Sequence, residues 1–195
     1  MQIAGILLFA YLLGSVPTGF VLGHLMGVDV RRSGSGNIGA SNVGRLLGWK
    51  PGLITMLADV AKGLFPVVVA VHLNFDAAGQ ALTALAAFLG HLYPVFLKFR
   101  GGKGVATALG VTLGLAPWVA LVLLPVFLVI VWATRWISLA SLSAAVLAAP
   151  AVWIFSYQAP VLWAMIAIGI LIVWRHRENI RRLLAGTESK LQRSP

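Results

Sequence analysis

The stretch VATALGVTLGLAPWVALVLLPVFLVIVWAT (residues 105–134) decides how many times this chain crosses a membrane. It has no charged side chain, and as one helix it would be roughly 45 Å long at ~1.5 Å per residue. That length is excessive for a hydrocarbon core about 30 Å thick. Pro117 offers a break, because proline is well placed at the start of a helix and poorly placed inside one. The alternative is therefore a short helix near 104–116 and a full span from 117.

The composition of the whole chain points to a membrane protein that crosses the bilayer several times. Hydrophobic residues make up 59% of its 195 residues and charged residues only 10%, with a mean hydropathy of +0.93. Soluble domains carry about 25% charged residues, so this chain has too little polar surface to be one. A disordered chain and a nucleic-acid-binding arm are excluded for the same reason. Cysteine is absent, which excludes disulfides, a thiol nucleophile and a thiolate metal site.

The distribution of basic residues favours seven helices. We predict them near 3–26, 51–73, 79–97, 104–116, 117–134, 138–156 and 159–175. With the N-terminus outside, the basic loops and the tail from Arg175 then all lie on the cytoplasmic side. If 105–134 were one span, Arg135 and the tail would lie outside, against the positive-inside rule. The sequence thus predicts an all-α fold in one domain (1–195), with a cytoplasmic basic tail (175–195).

The excess of Lys+Arg, 15 against 5 Asp+Glu, also suggests anionic partners such as lipid headgroups or a phosphorylated substrate. The first cytoplasmic loop, SGSGNIGASNVGR (residues 33–45), has the residues to bind one. Its glycines allow backbone N–H groups to converge on an anion, and Arg45 can bind phosphate through two hydrogen bonds. A flexible loop with a basic end is the alternative. Gly34, Gly36 and Gly39 also match the dinucleotide-binding pattern, but that pattern requires a preceding strand.

A second loop, FRGGKGVAT (residues 99–107), leads into a helix, so free N–H groups and a positive dipole end face the cytoplasm. Its mechanism would be that of a phosphate-binding loop. It is not a Walker A motif, because Leu97 stands in place of the first glycine and Gly104 in place of Ser/Thr. The alternative is a cationic anchor at the start of a helix.

The tail begins WRHRENIRRLL (residues 174–184) and has the spacing of an interfacial amphipathic helix at Ile180, Leu183 and Leu184. Its arginines would then face lipid headgroups. His176 and Asn179 are three residues apart and so share one face of a helix, from which they could turn toward the loops.

Few ionisable residues lie within predicted spans. Asp59 and Lys62 are three residues apart, and either support the site or form a structural ion pair. A structural hydrogen bond is the expected role of His91, near the inner end of its helix. His24 and Asp29 match the H-x-x-x-x-D dyad of common glycerolipid acyltransferases, a pattern short enough to arise by chance.

Three sequence blocks resemble those of the bacterial acyl-phosphate:glycerol-3-phosphate acyltransferases, small integral membrane enzymes that make lysophosphatidic acid. The blocks are SGNIGASNVGR (35–45), GHLYPVF (90–96) running into GGKGVAT (101–107), and WRH (174–176) with NIRRL (179–183) and GTE (186–188). Asp59-Val60-Ala61-Lys62-Gly63 also fits. The blocks occur in order along nearly the whole chain. Ser41 stands where threonine is more common in the family, and the hydroxyl is retained.

The resemblance implies transfer of an acyl chain from acyl phosphate to glycerol 3-phosphate, the first step of phospholipid synthesis. It implies seven helices in the bacterial inner membrane with the active site on the cytoplasmic side, and no use of the His24–Asp29 dyad. We expect membrane lipids as partners, and no nucleic acid, cofactor or metal; the sequence assigns no oligomeric state. A transporter of a phosphorylated solute is the alternative, although its polar residues would have to line a path across the bilayer.

The candidate site combines the three blocks. Phosphate would be bound by Ser41, Arg45, Gly101, Gly102, Lys103, Gly104 and Ser141. The substrate would be oriented, or its oxyanion stabilised, by Ser35, Asn37, His176 and Asn179. The general base would be His176 or a phosphate group of the substrate itself.

Overall fold

A computed structural model describes residues 2–191, and all regular structure in that range is helical. The helices are α1 (Gln2–Gly14), α2 (Thr18–Leu25), α3 (Ala40–Leu47), α4 (Trp49–His72), α5 (Ala77–Leu92), α6 (Val105–Leu115), α7 (Pro117–Thr134), α8 (Ile137–Ile154), α9 (Ala159–Arg175) and α10 (Arg177–Leu184). A 3-10 turn, Val95–Leu97, follows α5. The predicted all-helical fold is confirmed, and so is the break at Pro117, the first residue of α7.

Fewer segments qualify as membrane spans than the seven predicted. Over the described range five are long and apolar enough to cross a membrane: Gln2–Leu25, Trp49–His72, Ala77–Leu97, Pro117–Thr134 and Ile137–Ile154. A sixth is reached if α9 and α10, which meet at a 58° bend, count as one span. The segment predicted near 104–116 is the helix α6, but its 11 residues are too few for this criterion.

The chain divides into two compact units, the first ending at Leu115. Close approaches at glycine hold its long helices together. A Cβ at Gly14 or Gly90 would overlap the backbone of α5 or α1 respectively, and one at Gly63 or Gly110 would overlap the backbone of α6 or α4. Small residues at such crossings let membrane helices pack closely, where dispersion replaces the hydrophobic driving force.

The short amphipathic helix α3 was not predicted, because residues 33–45 were interpreted as loop. It buries Asn42 and Val43 and ends at Gly48, whose φ of +94° terminates the helix before α4. Gly44 and Gly52 bring α3 and α4 into close contact, since a Cβ at Gly52 would lie 2.8 Å from Gly44 Cα.

The second unit, from Ala116 onward, contains α7 to α10. Helices α7, α8 and α9 pack in sequence, with α8 in contact with both of its neighbours. The predicted amphipathic tail helix is present as α10. The chain beyond it returns to the start of α8, where Leu191 N–H donates to the Arg135 carbonyl (2.8 Å).

Candidate active site

Asn42, a residue that the sequence analysis did not single out, organises the first loop. It is 2% exposed, and its Nδ2 donates to the carbonyls of Val30 (2.9 Å), Ser33 (3.2 Å) and Asn37 (2.8 Å). Its Oδ1 accepts from the backbone N–H of Ser35 (2.8 Å). The loop is therefore folded around one buried amide and is not a flexible linker. The only sequence signal for Asn42 was its place in the block 35–45, directly after Ser41.

A small apolar core lies beneath this loop and connects it to the second one. Val30, Ile38 and Val43 pack there with Leu97, which lies in the 3-10 turn that precedes the Gly-Gly-Lys-Gly segment. Burying these side chains is favourable by about 1.5–3 kcal/mol each. The structure thus packs the turn that precedes the second predicted phosphate-binding loop against the first loop, within the first unit.

The polar residues predicted in the first loop occupy its outer side. Ser35, Ser41 and Arg45 are exposed, and Asn37 is half-buried with its Oδ1 accepting from the N–H of Gly39 (2.8 Å). Gly39 is the N-cap of α3. Ser41 and Arg45 are four residues apart on α3 and so lie on one face of that helix.

The second loop is held by its glycines, but not in the way that the sequence analysis assumed. The N–H of Gly101 donates to the Leu92 carbonyl (3.1 Å), and that of Gly102 to the His91 carbonyl (3.2 Å). A Cβ at Gly102 would overlap His91 Nε2, and one at Gly104 (φ +82°) would overlap the ring of Phe88. The amides of Gly101 and Gly102 are therefore already engaged by backbone carbonyls. Lys103 is half-buried between these glycines.

Asp59 and Lys62 form the ion pair that their spacing suggested. Lys62 Nζ lies 2.8 Å from Asp59 Oδ1 and donates to the carbonyl of Val16 (2.8 Å), in the break between α1 and α2. His91 Nδ1 lies 3.7 Å from the same carboxylate oxygen and 3.1 Å from Thr107 Oγ1. The predicted structural hydrogen bond of His91 is confirmed, and its partner is Thr107.

His176 and Ser141 belong to the second unit and are both buried. His176 is 3% exposed and lies at the bend between α9 and α10. Its Nδ1 is 2.8 Å from the Ile172 carbonyl, which can only accept, so Nδ1 carries the proton and Nε2 the lone pair in the neutral ring. Ser141 Oγ donates to the Ile137 carbonyl within α8 (2.8 Å).

Glu188, which the sequence predicted only as part of the GTE block (186–188), holds the segment after α10. Its two carboxylate oxygens accept from Asn179 Nδ2 and Arg182 Nε, both at 2.7 Å, and its backbone carbonyl accepts from the indole N–H of Trp136 (3.2 Å). Burial raises the pKa of Glu188, but the hydrogen bonds outweigh burial and leave that pKa below its usual value. Asn179 is thus oriented by a carboxylate and is 6% exposed.

The H-x-x-x-x-D pattern does not form a dyad. The Asp29 carboxylate accepts from Arg31 Nε (3.0 Å) and Nη2 (2.9 Å), and these bonds lower the pKa of Asp29 to about 2. His24 instead stacks on the ring of Phe20. Over residues 2–191, no group of three or more His, Asp and Glu side chains is placed to hold a metal ion.

Two apolar crevices run between α1 and α4 and share Phe65. The larger, about 620 Å³, is lined by residues from Gln2 to Phe75, and the smaller, about 350 Å³, reaches Thr18 and Lys62. Neither contains a residue of the two glycine-rich loops. Their lining side chains are mainly apolar.

The chain matches the protein family described as "Glycerol-3-phosphate acyltransferase" over residues 4–186. A glycerol-3-phosphate acyltransferase of Geotalea daltonii is 49% identical over 94% of this chain and 95% of the relative. One of Aquifex aeolicus is 47% identical over 97% of this chain and the whole relative.

Two solved structures of PlsY, an integral membrane glycerol 3-phosphate acyltransferase, are similar to the whole fold. Its glycerol 3-phosphate form has a TM-score of 0.96 and 46% identity, covering 98% of this chain and 96% of that one. Its lysophosphatidic acid form has a TM-score of 0.93 at the same identity and coverage.

Proposed function

The chain belongs to the glycerol-3-phosphate acyltransferase family, and from this premise we propose that it transfers an acyl chain from acyl phosphate to glycerol 3-phosphate. The products are 1-acyl-glycerol 3-phosphate and inorganic phosphate, in the first step of phospholipid synthesis. The solved PlsY structures support the assignment, because one is the glycerol 3-phosphate form and the other the lysophosphatidic acid form.

The chemistry needs no covalent intermediate on the protein. Acyl phosphate is a mixed anhydride and is already activated, which suits a chain without cysteine. The hydroxyl oxygen of glycerol 3-phosphate attacks the acyl carbonyl carbon, and the phosphate leaves with the bonding electron pair. The hydroxyl proton passes to His176 Nε2 or to a phosphate oxygen. Rate enhancement then comes from holding two anions close together and stabilising the oxyanion.

Arg45 and Lys103 supply the positive charge for the two phosphates. The observation that carries this assignment is the apolar core that joins the loops through Leu97, because it connects the segments that bear these two cations. Ser41 lies on the same face of α3 as Arg45 and adds a hydroxyl donor. With the amides of Gly101 and Gly102 engaged, Lys103 is the main phosphate ligand of its loop, and Gly101, Gly102 and Gly104 shape it.

The remaining polar residues orient the acceptor. Ser35 and Asn37 present side chains from the loop that Asn42 folds. His176 has its Nδ1 proton fixed by the Ile172 carbonyl, so Nε2 is the ring atom that would accept the hydroxyl proton where His176, and not a substrate phosphate, is the base. Asn179, oriented by the Glu188 carboxylate, and Ser141 would bind the substrate.

For the topology we propose seven spans in the bacterial inner membrane, with the N-terminus outside and the active site cytoplasmic. Helix α6 would be a short fourth span in a single functional domain. A cysteine introduced at Asp76 of this cysteine-free chain should then label in intact cells, and one at Arg135 should not. Labelling at Arg135 from outside would contradict the seven-span topology.

The direct test of function is phosphate release by the purified protein in detergent or lipid cubic phase, supplied with acyl phosphate and glycerol 3-phosphate. Release that requires both substrates and yields acylated glycerol phosphate supports the proposal. Release without the acceptor, or none at all, would contradict it.

A further inference from the structure

A buried polar chain runs through the first unit, and the proposed reaction does not use it directly. It links the Val16 carbonyl, Lys62, Asp59, His91 and Thr107. The four side chains are between 0% and 6% exposed. It therefore joins the break between α1 and α2 to α4, α5 and α6.

Such a chain is expensive to place inside a membrane protein. A buried ion pair offsets its desolvation only when its geometry is good and its remaining hydrogen bonds are satisfied. The pair of Asp59 and Lys62 has a short contact of 2.8 Å, and Lys62 also donates to the Val16 carbonyl. His91 Nδ1 lies 3.7 Å from the same Asp59 oxygen. A purely packing role at this position would be served as well by apolar side chains, so the polar chain calls for a further explanation.

Of these buried polar groups, His91 is the one that contacts the second loop. Its carbonyl accepts from Gly102 N–H, and its ring lies directly against the Gly102 backbone, where a Cβ would overlap Nε2. Gly102 is the residue before Lys103. Any rotation of the His91 ring or shift of its carbonyl therefore displaces the backbone that carries Lys103.

We propose that Thr107, Asp59 and Lys62 are positioning residues that fix the His91 ring so that it sets the place of Lys103 at the substrate phosphate. His91 is itself 4% exposed and acts through Gly102 without contact with substrate. This inference rests on the proposed function, in which Lys103 is a phosphate ligand.

The cleanest test removes only the hydroxyl at Thr107. Thr107→Val keeps the shape of the side chain but loses the contact with His91 Nδ1. Thr83→Val is the matched control, because Thr83 is also 0% exposed and its hydroxyl donates only to the Gly79 carbonyl of its own helix, α5. Thr107→Ser restores the hydroxyl and should restore function. His91→Asn, which removes the ring beside Gly102, tests the same contact from the other side.

Two measurements are made on each variant. Hydrogen–deuterium exchange of peptides covering residues 98–104 reports the loop without reference to activity. The values of kcat and KM for each substrate report the reaction. In Thr107→Val we expect faster loop exchange and about a tenfold loss of kcat/KM, carried by KM for the substrate whose phosphate Lys103 binds. In Thr83→Val we expect the loop exchange rate and kcat/KM to stay near their wild-type values, at a similar melting temperature.

The two readouts separate the failure of this inference from the failure of the proposed function. Unchanged loop exchange in both Thr107→Val and His91→Asn overturns the inference, whatever the activity. Faster exchange with unchanged kcat/KM, or equal losses in Thr107→Val and Thr83→Val, also overturns it. A wild-type protein that does not release phosphate instead contradicts the proposed function, and the inference with it.

Discussion

The two glycine-rich loops of the first unit have the same kind of sequence but are held in different ways. The first loop folds around one side chain, Asn42, which makes four hydrogen bonds to its backbone. The second loop is held through its backbone, where Gly101 and Gly102 donate to the carbonyls of Leu92 and His91. It is pressed against the end of α5, where Gly101, Gly102 and Gly104 leave no room for a Cβ beside His91 and Phe88.

The difference shows that a glycine in such a loop can be required for more than one physical reason. At Gly104 it is required twice, by a φ of +82° and by contact with Phe88. At Gly34 it makes room for the amide of Asn42, because a Cβ would overlap Asn42 Oδ1. In neither place does the glycine itself identify an anion site. The evidence for an anion site lies in the cations that these backbones present, Arg45 and Lys103.

The largest effect should follow removal of the cation from the second loop. Lys103→Ala should lower kcat/KM for glycerol 3-phosphate roughly 30- to 1000-fold, because a desolvated charge-assisted phosphate contact is worth ~2–4 kcal/mol. This loss is measured as phosphate release by folded wild-type and variant preparations at the same protein concentration.

The control for this prediction is a cation outside the loops. Arg177 is exposed and its guanidinium lies 5.1 Å above the ring of Trp174, so Arg177→Ala should remove only about 1 kcal/mol of contact with lipid headgroups. Comparable losses in the two variants would remove the Gly-Gly-Lys-Gly segment from the active site.

The next effect separates the two loops by stability. Asn42→Ala should destabilise the protein by about 3 kcal/mol, because four hydrogen bonds of this buried amide are lost. Limited proteolysis should then cut within residues 31–39, while the second loop stays protected. Ser33→Ala is the control, since Ser33 meets Asn42 through its carbonyl and not its side chain. Equal protease resistance of both variants and the wild type would show that Asn42 does not hold the loop.

A smaller effect distinguishes packing from backbone conformation. Gly27 (φ +73°) and Gly104 (φ +82°) both have positive φ, but a Cβ at Gly27 meets nothing within 4 Å. Gly27→Ala should therefore lose about 1 kcal/mol from backbone strain alone. Gly104→Ala should lose about 1–2 kcal/mol more, because its Cβ also overlaps Phe88. Melting temperatures in one detergent compare them, and equal shifts would argue against the packed second loop.

The sequence predicted the long helices well because they are apolar runs, and Pro117 marked the break before α7. The helix predicted near 3–26 is instead divided into α1 and α2, with Pro17 as the N-cap of α2. It did not predict α3, since eight residues directly after a run of glycine, serine and asparagine give too short a pattern to distinguish from a loop. Helix α6 was predicted in place, but its 11 residues leave the number of spans open.

The candidate site was predictable only where partners are close in sequence. The spacing of Asp59 and Lys62 predicted their ion pair, whereas the contact of His91 with Thr107 and Gly102 depends on how α5 and α6 pack. His176 and Asn179 were expected on one helical face, but His176 lies at the bend that separates α9 from α10. The partnership of Asn179 with Glu188 requires the chain to turn back after α10, which no local pattern indicates.

The smallest effect concerns the segment after α10, which the charge of the Glu188 carboxylate holds in place. Because the pKa of Glu188 is lowered in the folded protein, its carboxylate should add stability above the ordinary value of 4.5. This stability should be lost as the pH falls through the lowered pKa. We expect it to amount to at most about 1 kcal/mol, as is usual for a partly exposed pair such as Glu188 with Arg182. The melting temperature should therefore depend less on pH, between pH 7 and acid, in Glu188→Gln than in the wild type. Glu178→Gln is the control, because Glu178 is an exposed glutamate of α10. If all three proteins lost stability in parallel, the segment after α10 would be held by packing, as the second loop is, and not by its carboxylate.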